Sequence, residues 1–475
     1  MNAAIKFATA IKFGTDGWRA IIAEDYTFAN VRACAQGVAA LLHQSGAASR
    51  GLVVGYDTRF ASEDFARAVA ETAAANDVPV YLCNSACPTP VVSYNVIHRK
   101  AAAGVVITAS HNPPQWNGFK YKPDYGGSAS PEIVAALEQH IARAQQAGIR
   151  HGAATAAITL IEALPPYLDH LRTLVDIDAI RRAPISIVVD SMYGAGAGIF
   201  ASLLSGATAR VTEIHGERNP AFPGFAQPEP ITGNLQALLR AVPQARAGVG
   251  LATDGDADRL GVVDEHGQFV TQLQTIALLA LYLLEVRKQR GALVKSITTT
   301  DMLFKLGALY NVPVFETPVG FKHIGPVMMR ENALIGGEES GGYGFRGHIP
   351  ERDGILSGLY ILAMMVAMGK TPSQLLDYLY AKVGPHHYDR LDLRFDPAQR
   401  DAILARMKSA KPASLAGRRV VSMDTIDGFR YKLDDGSWAL VRFSGTEPLL
   451  RIYCETDSRD RVQQILQETR ALAGV

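Results

Sequence analysis

Apolar residues fall along the chain in two rhythms. Short, mostly apolar runs bounded by glycine, proline or small polar residues predict strands at 52–56, 78–82, 104–107, 185–190, 248–252, 292–297, 312–316 and 333–337. Apolar residues at every third or fourth position predict helices at 31–42, 65–75, 273–288, 302–310 and 355–368. Strands alternating with helices argue for α/β units with mostly parallel sheets. The segment 260–269 reads as a hairpin with a Glu-His-Gly turn, and the Ala- and Thr-rich segment 151–161 as a linker. From about residue 386 the texture changes. Alternating residues predict strands at 387–395, 418–423, 428–433, 438–443 and 450–455, with helices at 398–408 and 459–472, which makes an α+β unit. At about 100–200 residues per domain, 475 residues form three or four domains. The breaks divide the chain at 1–155, 156–266, 267–385 and 386–475.

Composition narrows the partners. Hydrophobic residues make up 48% and charged residues 20%, with 47 basic against 46 acidic side chains and a net charge of +1. No field of one sign points to nucleic acid or a membrane surface, so any anion site must be local. The longest apolar run, 276–284, is far short of a membrane span and fits a core helix. Residues 1–10 include Lys6 and lack the apolar stretch of a secretory signal. The cysteines, Cys34, Cys83, Cys87 and Cys454, show no C-x-x-C pair, which suits reduced thiols in a cytoplasmic protein.

Four polar loops carry the chemistry. The first follows a predicted strand: Gly104-Val-Val-Ile-Thr-Ala-Ser110-His111-Asn112-Pro113. It sets Ser110 at the carboxyl end of a strand, where open α/β sheets bind ligands. Ser110 is a candidate nucleophile or phosphate carrier; taken alone, the loop is better explained by a turn whose Ser and Asn satisfy the backbone, and the rest of the chain reverses that order. Ten residues on, Lys120 of Asn117-Gly-Phe-Lys is in range of such a phosphate, and the turn-rich Lys12-Phe-Gly-Thr-Asp-Gly-Trp-Arg19 ends in an arginine.

The second loop is Asp254-Gly-Asp256-Ala-Asp258-Arg259. Three carboxylates at alternate positions repel one another unless a cation sits among them, and hard divalent ions take oxygen ligands. The glycine and distant glutamate of an EF-hand do not follow, so octahedral Mg²⁺ fits better. The glycines of Ser191-Met-Tyr-Gly-Ala-Gly-Ala-Gly198 lack a nucleotide-binding spacing and are better explained by tight strand–helix packing. Farther on come Thr317-Pro-Val-Gly-Phe-Lys322-His323, the third loop Glu338-Glu339-Ser340-Gly-Gly342, suited to sugar hydroxyls, and the polar stretch from Arg346 through His348 to Asp353. The fourth loop, Arg442-Phe-Ser444-Gly445-Thr446-Glu-Pro448 with Arg451 nearby, offers hydroxyls, a glycine and arginines to a phosphate dianion. A carrier, a cation, hydroxyl recognition and phosphate capture together suit phosphoryl transfer between a protein serine and a phosphosugar.

These four loops, in this order, resemble the phosphoserine, metal, sugar-binding and phosphate-binding loops of the α-D-phosphohexomutases, the phosphoglucomutase/phosphomannomutase family. The resemblance implies a four-domain, heart-shaped architecture, with three similar α/β domains and a C-terminal α+β domain. It implies that Ser110 carries a phosphoryl group and that Ser110, Asp254, Asp256 and Asp258 hold Mg²⁺. The phosphoserine donates to a hexose 1-phosphate, the 1,6-bisphosphate turns around, and its other phosphate returns to Ser110. Arg19 and Lys120 would lie near the transferring phosphate, with Arg259 by the metal loop. Glu338 and Ser340 would bind hydroxyls, and Arg442, Ser444, Gly445, Thr446 and Arg451 the other phosphate. Some members end the sugar loop in a histidine that acts as acid or base; here that position is Gly342. Lys120 is then the first candidate for proton transfer, provided its pKa is lowered, with His111, Lys322 and His348 as alternatives. Two other readings stay open, a phosphosugar phosphatase and a non-catalytic sugar-phosphate binder on the same scaffold. The expected partner is a phosphosugar, with no nucleic acid or membrane, and the protein is expected to be a monomer or small homo-oligomer.

Overall fold

A computed structural model describes residues 10–150, 152–206, 208–444 and 449–475. Four sheets follow one another along the chain. The first orders its strands Trp18–Ile21, Trp116–Pro123, Ala103–Ile107, Leu52–Tyr56, Val80–Cys83 and Ile158–Ile161. Leu52–Tyr56 and Ala103–Ile107 are buried at every position, as central strands covered on both faces by helices are. The second sheet centres on Ser186–Asp190 and Val249–Thr253, the third on Leu293–Ser296 and Ile335–Gly337.

The three units share one device. A buried strand runs parallel to its neighbour, ends in a polar loop, and is followed by an antiparallel return strand. In the first unit Ala103–Ile107 returns as Trp116–Pro123. In the second, Val249–Thr253 returns as Leu260–Asp264. In the third, Ile335–Gly337 returns as Tyr343–Phe345. Parallel pairings predominate in the first and third sheets and equal the antiparallel ones in the second, and each of these three loops is the turn of an antiparallel return.

The core is shared. One buried apolar cluster runs from Val53 in the first unit to Val383 at the end of the third. The C-terminal unit, an antiparallel sheet of six strands with the helices Arg400–Ser409 and Arg459–Ala473, has a core of its own, from Phe395 to Ala473. A small cluster, Ile297 with Trp438, Leu440 and Tyr453, joins it to the third unit. No single described helix is long and apolar enough to cross a membrane. The run 276–284 lies in the buried helix Gln272–Leu281 and the π-helical turn Tyr282–Val286 that splits the expected 273–288 helix.

One expectation about an element is corrected. The segment 151–161 is not all linker: Ile158–Ile161 pairs in parallel with Val80–Cys83 and forms the edge of the first sheet. Its first three side chains are exposed, so it lacks the buried-strand signature. The segment 117–120 lies in the strand Trp116–Pro123, and Lys120 stands opposite Val106 in the pairing. Lys120 and Lys122 share a face, as period-two alternation requires.

Candidate active site

The serine loop and the aspartate loop meet. Ser110, 1% exposed, has φ of 52°, a left-handed conformation that costs a non-glycine residue free energy and must be held by its surroundings. Its N–H donates to Thr108 Oγ1 at 2.8 Å, and Thr108 Oγ1 donates to Asp57 Oδ2 at 2.5 Å. The fully buried Arg59 guanidinium donates to the carbonyls of Ser110 (2.6 Å), Asn112 (2.6 Å), Pro113 (2.9 Å) and Trp116 (3.1 Å). So held, Ser110 Oγ donates to Asp254 Oδ2 at 2.9 Å and lies 3.3 Å from His111 Nδ1. Gly255 permits the approach, since a Cβ there would collide with the Ser110 carbonyl oxygen. The glycine-rich loop after Ser186–Asp190 packs beneath: Gly194 abuts the backbone of Asp254 and Gly255, and the Ala195 N–H donates to the Gly255 carbonyl at 2.9 Å. Gly196 likewise abuts Thr253, so close packing is what these two serve, whereas Gly198 has open space about it and takes φ of 77° before the helix Ile199–Leu204.

Asp254, Asp256 and Asp258 are buried, and one oxygen from each lies within 4.8 Å of the others. Oδ1 of Asp256 and Oδ1 of Asp258 are buried without a hydrogen-bond partner. A compact set of carboxylate oxygens, two of them unsatisfied, fits a hard divalent cation such as Mg²⁺. The other oxygens meet cations of the chain. Lys120 Nζ lies 2.7 Å from Asp256 Oδ2, 3.1 Å from Asp258 Oδ2 and 2.8 Å from Asp16 Oδ2. Thr89 Oγ1 donates to Asp256 Oδ2 at 2.5 Å.

Burial, then Asp258 and Asp256, push the Asp254 carboxyl well above the usual carboxylate range. Burial presses the same way on Asp256, but Lys120 outweighs it and holds that carboxyl down. Burial would lower the Lys120 pKa, yet Asp16, Asp256 and Asp258 overcome it and raise it. The lowered pKa expected of Lys120 is therefore reversed: it stands as a counter-ion among carboxylates. His111 goes the other way, driven well below the ordinary histidine value by burial and by Arg259, Arg19 and Lys120, so it is neutral.

Other expected residues join the same region. Arg19 Nη1 donates to Asn112 Oδ1 at 2.6 Å. Arg259 donates through its backbone N–H to Asp254 Oδ1 at 3.1 Å and through Nη1 to Glu229 Oε1 at 2.8 Å. Glu338 is buried; burial raises its pKa against the pull of Arg352, whose Nη1 lies 3.5 Å from its Oε2. Ser340 is half-buried in the same loop, and Lys322 half-buried in the first turn of the helix Phe321–Glu331. Arg442 Nε bonds Asp427 Oδ2 at 2.9 Å, and Arg451 Nε lies 3.7 Å from Asp392 Oδ1. The Ser444 N–H donates to the Leu449 carbonyl at 2.8 Å. Gly445 and Thr446 lie outside the described residues.

His348 is the misplaced candidate. Its imidazole is sealed at 0% exposure, with Nε2 2.8 Å from Asp353 Oδ2 and the ring stacked on His170 at 5.1 Å. It braces the start of the helix Gly354–Met368 instead of facing a cleft. Arg352, four residues on, is the one that turns inward. Its Nη2 lies 2.5 Å from Asp16 Oδ2 and 2.8 Å from Asp258 Oδ2. A Cβ at Gly342 would collide with the stem of Arg352, so the position of the absent histidine is filled by an arginine. Lys122 and Glu351, paired at 2.6 Å and buried, extend this network. Asp16, Asp57, Arg59, Lys122, Glu229, Glu351 and Arg352 are the residues that sequence reasoning did not single out. The only sequence signal was the polar run before residue 354, read there for its histidine.

Comparisons with known proteins bear on the family and the fold. Family models for phosphoglucomutase/phosphomannomutase α/β/α domains I, II and III match residues 10–148, 165–267 and 272–383, and the model for the C-terminal domain matches 402–472. A phosphoglucomutase/phosphomannomutase of Thermococcus kodakarensis is 32% identical over 462 residues, covering 96% of each chain. A phosphoglucosamine mutase of Carboxydothermus hydrogenoformans is 29% identical, covering 97% of this chain and 98% of its own. The crystal structure of a candidate phosphomannomutase from Thermus thermophilus is 36% identical, with a TM-score of 0.86 over 98% of this chain and 100% of that one.

Proposed function

The chain belongs to the phosphoglucomutase/phosphomannomutase family of enzymes, and from that premise we propose that it moves a phosphoryl group reversibly between C1 and C6 of a hexose phosphate, glucose or mannose by preference. The reaction runs through phosphorylated Ser110 and a hexose 1,6-bisphosphate, which is both intermediate and activator. One observation carries the reading: Ser110 Oγ sits 2.9 Å from Asp254 Oδ2, so the carrier hydroxyl is held against the aspartate triad.

Each residue has a role in this reading. Asp254, Asp256, Asp258 and the phosphorylated Ser110 hold Mg²⁺, which neutralises charge on the transferring group when bound. Lys120, Arg19 and Arg259 carry positive charge to that group, and Arg352 adds more from the third unit. Phosphoryl transfer asks mainly for this positioning and charge, not for covalent help beyond the serine. Neutral His111, 3.3 Å from Ser110 Oγ, is placed to hold a proton at that atom as the phosphoryl group leaves or returns. Glu338 and Ser340 orient sugar hydroxyls, and Lys322 is a further candidate for binding the substrate. Arg442, Ser444, Gly445, Thr446 and Arg451 hold the phosphate that is not moving, and exchange of the two phosphates between ends lets both half-reactions use one serine. The relatives' names include both glucose/mannose and glucosamine mutases, so the sugar is the finer part of the proposal.

Intact-protein mass with peptide mapping of Ser110, followed by a coupled assay on glucose 1-phosphate and mannose 1-phosphate with Mg²⁺ and a trace of bisphosphate, tests it. A single phosphate on Ser110 and isomerisation of one sugar are expected. A Ser110 that no bisphosphate charges, with no isomerisation, would sink the proposal, and release of inorganic phosphate without isomer would favour a phosphatase.

A further inference from the structure

The second glutamate of the sugar loop does not face the sugar side of that loop. Glu339 turns its carboxylate to the C-terminal unit, where Oε1 accepts from Tyr388 Oη at 2.9 Å and from Arg390 Nη1 at 2.8 Å. Arg390 passes the contact on: its Nε lies 3.0 Å from Asp392 Oδ1, and its Nη2 donates to Asp392 Oδ2 at 3.2 Å. Asp392 stands directly opposite Arg451 in the pairing of His387–Arg394 with Leu449–Thr456, with its Oδ1 3.7 Å from Arg451 Nε. A second route is shorter. Asp427 Oδ2 accepts from the Val319 N–H of the third unit at 3.0 Å and from Arg442 Nε at 2.9 Å.

Arg442 and Arg451 are themselves cross-strand partners. Like charges directly opposite on a sheet repel. Arg442 is thus hydrogen-bonded by one aspartate and Arg451 faces another at ion-pair distance, and each aspartate is tied, directly or through Arg390, to the unit that carries the sugar loop. A hexose phosphate must reach hydroxyl partners at one end and this arginine pair at the other. Its affinity therefore depends on the spacing of the two loops, as for any ligand that engages two sites at once.

We propose that Glu339 is a positioning residue: through Arg390 and Asp392 it sets Arg451 and so the distance between the sugar loop and the phosphate loop, without itself binding the sugar. The inference rests on the mutase reading for the identity of the ligand.

Three variants test it: Glu339→Gln, Arg390→Met and the double variant Glu339→Gln/Arg390→Met. Calorimetry with glucose 6-phosphate, with inorganic phosphate as the short probe, gives affinities without turnover; kcat and KM come from the coupled assay. Each single variant should weaken glucose 6-phosphate about five- to tenfold and raise KM alike, with kcat within about twofold and inorganic phosphate within about twofold. The double variant should lose no more affinity than the weaker single variant, because both changes cut one relay. Wild-type affinity in Glu339→Gln, or a double variant whose loss is the product of the two single losses, overturns the relay; the latter is the result if the Glu339 carboxylate touches the sugar directly. Absence of binding by the wild type also overturns it. Failure of the wild type to isomerise, with the affinity pattern intact, sinks the mutase reading and leaves the relay standing.

Discussion

The two ends of the proposed cleft are built from the same kinds of charge in different surroundings. At the serine end, the side chains of Lys120, Asp16, Asp254, Asp256, Asp258 and Arg352 are all 8% exposed or less. At the phosphate end, Arg442 and Asp427 are 16% and 26% exposed, and Arg451 and Asp392 are 29% and 38% exposed. Burial makes the loss of one partner the costlier event, so breaking an ion pair at the first end costs several times as much as at the second. The first end also adjoins the core shared by three units, and the second lies on a unit with a core of its own. The proposed chemistry thus falls at the drier end, and the proposed phosphate site at the wetter one.

The widest gap between the two ends should show in turnover. Asp256→Asn should lower kcat about 10²- to 10⁴-fold, because the triad's charge serves a cation at the transferring group; a coupled assay with saturating Mg²⁺ measures it, and a loss below tenfold would equate this end with the other. Next, Lys120→Met leaves Asp16, Asp256 and Asp258 without their shared cation. It should destabilise the protein by about 3–5 kcal/mol in EDTA, read by urea denaturation, with part of the loss restored by Mg²⁺. Third, Mg²⁺ at about a hundred times its Kd should stabilise the wild type by about 2.7 kcal/mol, and Asp254→Asn/Asp256→Asn by far less. A melting temperature indifferent to Mg²⁺ in the wild type would remove the metal assignment.

The seam between the third and C-terminal units gives the smallest effect. Glu316 of the third unit is gripped by Arg430 of the C-terminal unit, Nη1 to Oε1 at 2.6 Å and Nη2 to Oε2 at 2.7 Å. Burial would raise the Glu316 pKa from 4.5, but Arg430 and Lys295 outweigh it and hold it at about 2. A carboxyl depressed in the folded state contributes stability above its unfolded pKa and loses it as pH falls through the folded value. Glu316→Gln should therefore cost about 1–3 kcal/mol at neutral pH, and its deficit against the wild type should shrink as pH drops from about 4.5 toward 2. A deficit that stays constant down to pH 3 would mean that charge is not what joins these units.

Much of this was legible in the sequence where one pattern suffices. The helix Met302–Tyr310 and the strand Trp438–Phe443 are found at their expected bounds, because apolar period and flanking turns agree there. The helix Pro131–Ala147 also announces itself, with Ser130 as a capping side chain and Pro131 in the first turn, though the reading passed over it. Thr89–His98 does not, because its polar residues are scattered among the apolar ones and no face stands out. The loops bearing Ser110, the aspartates and Glu338 are legible because each packs its chemistry into a few consecutive residues. Arg59, Asp16 and Arg352 are not. Their meaning lies in partners far along the chain, such as Asp16 for Arg352, 336 residues away. His348 draws the eye in that stretch because a histidine has the nearer pKa for proton transfer, a property that says nothing about which side chain the fold turns inward.

The edge strand Ile158–Ile161 has a consequence for cutting the chain. It follows the helix Pro131–Ala147 but pairs with Val80–Cys83, so the first sheet is finished by residues beyond position 155. A fragment stopped at 155 would leave Val80–Cys83 with a bare row of N–H and C=O groups, and such an edge recruits the same edge of another molecule. Expressed that way, the piece should clump, whereas one carried through Ile161 keeps its hem.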